Sequence, residues 1–98
     1  MKINNLEWKI KFNENLNENL FGQTNYENLT IYLRPQCCKE NIKRTLLHEI
    51  IHAYCYSYGL HFIENYDREN LCEFIAHNFE NISKIYSDAK KEMFNEKD

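Results

Sequence analysis

Two histidines, His48 and His52, stand four positions apart in the stretch HEIIH, with Glu49 directly after the first. On a helix of about 3.6 residues per turn, four steps advance roughly 400°, so the two imidazoles lie about 40° apart on one face and can reach one ion. Imidazole nitrogen is a favoured ligand of Zn2+, and a catalytic zinc takes three protein ligands and leaves its fourth position to water. Glu49 has the chemistry of a general base, able to take a proton from water made acidic by the metal and return it to a leaving amine. The alternative is a solvated, charged helix face. With a core stripe centred on Leu47, Ile50 and Tyr54, the two histidines fall on the far side of the helix.

A third ligand has to come from further along the chain, where His61, Glu64, Asp67, Glu69, Glu73 and His77 are available. The metzincin pattern would place a histidine six residues after His52, and that position is Tyr58. Glu73 follows His52 by 21 residues, enough for the helix to end, a loop to turn and a second helix to bring a carboxylate back. Glu69, Glu73 and His77 recur at i, i+4 and i+8, so they share one face of that second helix, bordered by the small residues Cys72 and Ala76. Glu73 is the favoured ligand, with His61, Glu69 and His77 as substitutes. The donor that stabilises an oxyanion is left open among Tyr54, Tyr56, Tyr58, Tyr66, His61 and His77.

The elements that must position these groups show in the periodicity. LEWKIKFN alternates, with Trp8, Ile10 and Phe12 on one side, which is the period of a half-buried strand. A second alternating run carries Leu29, Ile31 and Leu33 and is stopped by Pro35, while Gly22 and the region from Asn25 to Asn28 read as turn material. From about Lys39 the period changes to that of a helix, with Ile42, Leu46, Leu47, Ile50, Ile51, Ala53, Tyr54 and Tyr58 recurring until Gly59 ends it. A second helix starts near Asp67, its stripe formed by Leu71, Ile75, Phe79, Ile82, Ile85, Tyr86, Ala89 and Met93. The expected fold is α+β: a small antiparallel sheet of two or three strands, the HExxH helix, then a second long helix carrying the third ligand.

Ninety-eight residues suffice for one domain, taken here as residues 1–98. A net charge of −3, with Lys and Arg scattered rather than clustered, gives no basic face for a phosphate backbone, so nucleic acid is not an expected partner. No apolar run approaches the roughly 18 residues needed to span a bilayer, and the N-terminal stretch has no signal-peptide core. A cytoplasmic protein is expected, in which Cys37, Cys38, Cys55 and Cys72 are free thiols.

Taken together, NLTIYL as an edge strand, TLLHEIIHAY as the active-site helix and ENLCEFIAHNF with its E-x-x-A step resemble the gluzincin-type zinc peptidases. The likeness is in particular to the compact ImmA/IrrE-like metallopeptidases and related small proteins often carried by phages and mobile elements, over roughly residues 22 to 80. This resemblance implies a minimal zincin-like fold with one Zn2+ held by His48, His52 and Glu73, Glu49 as general base, and a protein or peptide substrate lying extended along residues 29–33. Repressor cleavage, known for members of that family, is not carried over, since no helix-turn-helix segment is recognisable. A second resemblance links HEIIHAY to the SprT-type proteases, where a third histidine completes the site. His61, nine residues after His52, is the nearest equivalent, although the glycine that follows it in that pattern is missing. The function expected is a zinc-dependent endopeptidase, phage or mobile-element related. The alternative is a non-catalytic, zinc-stabilised interaction or inhibitor protein that retains the zincin scaffold.

Overall fold

Asn4 and Asn5 take left-handed backbone conformations, with φ of 46° and 68°, in the computed structural model, which describes residues 1–60 and 68–95. Two consecutive positive φ values define the primed turn that matches the twist of a tight hairpin. It joins β1 (Lys2–Ile3) to β2 (Leu6–Glu7), with Ile3 opposite Leu6. Trp8 then interrupts the expected long first strand. Its ring is buried to 1% exposure, and its indole N–H donates to Ser57 Oγ at 2.9 Å, while Asn4 Nδ2 donates to the Ser57 carbonyl at 2.8 Å. The hairpin is thereby pinned to the end of the HEIIH helix, α1 (Lys39–Ser57).

β3 (Lys9–Phe12), β4 (Gly22–Asn25) and β5 (Thr30–Leu33) form a second sheet in the order β3-β5-β4. The expected antiparallel sheet is in fact mixed: β3 runs parallel to β5, and only β4 is antiparallel to it. Alternation of apolar residues reports which face a side chain takes but not strand direction, and here the loop after Phe12 carries the chain to the far edge before it turns back. That turn is built by Asn25, whose Oδ1 accepts from the N–H groups of Glu27 and Asn28 at 3.0 and 3.2 Å. β4, with the sequence GQTN, has no apolar residue, which is why it reads as turn material. It is an edge strand whose inward positions, Gly22 and Thr24, are small.

Sheet order corrects the expected substrate track. β5 is hydrogen-bonded on both sides, so residues 29–33 offer no open edge to an added strand, whereas β3 and β4 are edge strands among the described residues. Arg34 N–H donates to the Phe21 carbonyl at 2.9 Å, and Gly22 stands opposite Leu33. Since hydrogen-bonded and non-bonded pairs alternate along an antiparallel ladder, the N–H and C=O groups of Gly22 and Thr24 face the open side.

Ile31 and Leu33 of β5 pack with Ile42, Leu46, Ile50, Ala53 and Tyr54 of α1, together with Ile3 and Trp8, into the core. Beyond the last helical residue of α1, Ser57, Gly59 makes the left-handed stop, with a φ of 80° and an N–H bond to the Tyr56 carbonyl. α2 (Arg68–Phe94) returns antiparallel to α1, tied by Tyr54 Oη donating to Asn78 Oδ1 at 2.8 Å and Tyr86 Oη donating to the Lys43 carbonyl at 3.0 Å. Leu71 and Phe79, expected in its buried stripe, are 37% and 61% exposed. Its inward line runs instead through Phe74, Asn78, Ile82, Ile85 and Ala89, and the polar Asn78 disguises that line in the sequence. At 27 residues α2 is about 40 Å long against about 28 Å for α1, so its first turns run past the end of the shorter helix. Phe12 and Tyr58 are likewise more exposed than their patterns imply, at 44% and 45%. All four cysteines are free, and among the described residues no helix is long and apolar enough to cross a membrane.

Candidate metal centre

His48 and His52 project from the exposed face of α1 with their Nε2 atoms 3.2 Å apart and their ring planes 68° to one another. Glu49, one step round the helix, is only 7% exposed. One ligand atom from each of the three lies within 4.8 Å of the others, and among the described residues this is the group able to hold a metal ion. Two nitrogens bound at 2.0–2.1 Å to one tetrahedral ion would be about 3.3 Å apart, so the imidazole pair fits zinc without rearrangement.

A merely solvated helix face would leave Glu49 in water. Instead, Thr24 of β4 lies over it, with Oγ1 3.3 Å from both Glu49 Oε1 and the Glu49 backbone carbonyl, either of which can accept its hydrogen. The approach depends on Gly22. A Cβ there would sit 2.6 Å from Thr45 Cγ2, 3.1 Å from the Tyr32 carbonyl and 3.2 Å from Glu49 Cγ. Glycine at the first position of β4 thus lets the strand backbone lie directly on the helix turn that carries the carboxylate.

Leu20, Phe21 and Gly22 form one wall of an open cleft of about 400 Å3, with Arg44, Thr45 and His48 on the other and Glu49 reaching into it. The first wall is held by Arg34. Its Nε donates to the Leu20 carbonyl at 2.8 Å, and its Nη2 donates to the carbonyls of Leu16, at 3.0 Å, and Asn17. These acceptors span the Asn-rich loop after β3.

Tyr26 was not among the expected site residues. It stacks on Tyr56 with centroids 4.7 Å apart, and burial, reinforced by the charge of Glu49 and by Cys55 and Tyr56, pushes its phenol above the ordinary tyrosine range. The hydroxyl therefore stays protonated, and a donor, throughout the neutral range. It follows β4 immediately, and recognising that strand would have drawn attention to it.

Other expected donors have partners elsewhere: Tyr54 bonds Asn78, Tyr56 lies edge-on to Trp8, and Tyr58 lies against Tyr54 at 4.8 Å. Glu73 is exposed on α2, its Oε2 3.6 Å from His77 Nε2, and neither these two nor the exposed Glu69 joins the His48, Glu49 and His52 group. His61, Glu64, Tyr66 and Asp67 lie outside the described residues.

An HExxH pair on a helix, its glutamate covered by a neighbouring strand, defines a zinc-metallopeptidase-like domain. The SprT-like family model matches residues 2–65, and the chain belongs to that family. The match falls on the second of the two resemblances seen in the sequence rather than on the ImmA/IrrE-like one. Its span includes His48, Glu49, His52 and His61 and stops short of Glu73. No curated protein and no solved structure gives a significant match to the chain.

Proposed function

We propose that the protein is a zinc-dependent endopeptidase. One observation carries this: a buried carboxylate, Glu49, held by Thr24 beside two exposed imidazoles spaced for one ion, at a cleft bordered by a strand edge. His48 and His52 would hold the zinc. His61 is the favoured third ligand, because the family span contains it, while Glu73 faces solvent beside His77. When bound, zinc supplies Lewis acidity, lowering the pKa of water and polarising a peptide carbonyl.

The chain's own groups do the rest. The Glu49 carboxylate accepts the proton of the attacking water and passes it to the leaving nitrogen. Thr24 fixes the carboxylate's orientation, so the proton acceptor is in place before substrate arrives. The backbone N–H and C=O groups of Gly22 and Thr24 on the open side of β4 offer an extended peptide a ladder. That edge replaces residues 29–33 as the docking track for a protein or peptide of host or phage origin.

Glu49→Gln tests the proposal, since it keeps the shape and removes the base. Zinc content is expected to be retained while peptide cleavage falls by about 10²- to 10⁴-fold. Unchanged cleavage would refute the assignment of the base. A wild-type protein that binds zinc and a protein partner but cleaves nothing would favour the non-catalytic interaction protein.

A further inference from the structure

The α1 wall of the cleft extends beyond the histidines towards the start of the helix. Arg44 lies four residues before His48, and so one helical turn, about 6 Å, from it on the same face. It lines the main cleft with His48 and Glu49, and also a smaller continuation of about 160 Å3 shared with Asn41, Thr45 and Phe21. Its side chain is exposed and forms no ion pair with any described carboxylate. Among the described residues, Glu49 is the one acidic residue lining the main cleft. Facing Arg44 are Leu20 and Phe21, which stay 37% and 60% exposed although they are large and apolar.

A guanidinium with no ion-pair partner among the described residues and an exposed apolar wall lining the same cleft define a chemistry of recognition. Guanidinium binds carboxylate through two parallel, charge-assisted hydrogen bonds, a geometry that lysine cannot reproduce. We infer that Arg44 is the specificity-determining residue of the cleft: it anchors a substrate carboxylate about one helical turn from the catalytic pair, while an adjoining apolar side chain rests on Leu20 and Phe21. The inference rests on the peptidase proposal for the identity of the ligand as a peptide. A nucleic-acid phosphate is the poorer fit, because a single arginine on a chain of net charge −3 does not make a basic track. The carboxylate has two sources in a peptide, an acidic side chain or the free C terminus.

The test uses ten-residue peptides on a Gly-Ser frame, each with one Phe followed by Asp, Asn or Lys, and each made with a free and an amidated C terminus. Cleavage is measured with zinc-loaded protein, and binding by fluorescence anisotropy with the Glu49→Gln variant, so recognition is read even if no peptide is cut. The carboxylate-bearing peptides are expected to bind about tenfold tighter than their amide counterparts, with the difference in KM where cleavage occurs. Preference that follows Asp assigns a side-chain carboxylate, and preference that follows the free terminus assigns a C-terminal one. Arg44→Gln should flatten the series, and Arg44→Glu should turn it towards Lys, with circular dichroism confirming that both variants fold.

Equal binding of all members, no binding at millimolar concentration, or a carboxylate preference that survives Arg44→Glu would overturn the inference. So would a short oligothymidylate that displaces the Asp peptide and depends equally on Arg44. Failure of cleavage with Arg44-dependent binding intact would count against the peptidase proposal alone.

Discussion

Thr24 Oγ1 stands 3.3 Å from Glu49 Oε1, joining edge strand β4 to the helix carboxylate proposed as the general base. Because Glu49 is nearly buried, water cannot easily replace that donor. Thr24→Val, which keeps the shape and removes the hydroxyl, is expected to lower kcat about tenfold while leaving zinc content unchanged. Steady-state kinetics alongside metal analysis checks this, and an unaltered kcat would show that Thr24 does not orient the base.

Gly22 sets how closely β4 lies on α1. Gly22→Ala forces its new methyl against Thr45 Cγ2 at 2.6 Å, and the expected cost is about 1–3 kcal/mol of stability. Thr45→Ser removes the opposing methyl, so the double variant should recover part of the loss. Denaturant unfolding of the four proteins gives the coupling between the sites. Additive losses would place the strain elsewhere, at the Tyr32 carbonyl or Glu49 Cγ.

Arg34 gathers three carbonyls of the loop that carries Leu20 and Phe21. Arg34→Met is expected to raise KM severalfold and to speed hydrogen exchange at the Leu20 amide, which donates to the Asn17 carbonyl at 2.8 Å. Arg34→Lys should fall between, because an ammonium lacks the guanidinium fork. Unchanged exchange at Leu20 would mean that the loop holds its shape without the clamp.

The helix that carries the chemistry was legible almost to its ends, since strong periodicity and Gly59 delimit it and HEIIH lies within it. What escaped was whatever depends on residues that do not announce burial. GQTN forms a strand because small residues let a helix lie against it, not through apolar alternation. Strand direction in β3 and β5 is set by the path of the intervening loop, which periodicity does not encode. Asn78 sits on the inward line of α2 because Tyr54 supplies it with a partner, and neither residue alone reveals the pair. In the site itself, the histidine pair and the adjoining Glu49 were evident from spacing, whereas Thr24 comes from a strand that the sequence pattern conceals.

The proposed peptidase function depends on zinc binding by the histidine pair, His48 and His52. Metal analysis of purified protein, wild type against the His48→Ala/His52→Ala double variant, measures it, with circular dichroism showing that both are folded. About one zinc per chain is expected in the wild type and essentially none in the double variant, because neutral imidazole ligands supply the binding energy. A wild-type protein without stoichiometric zinc after incubation with the metal, or a double variant that keeps its zinc, would contradict the assignment.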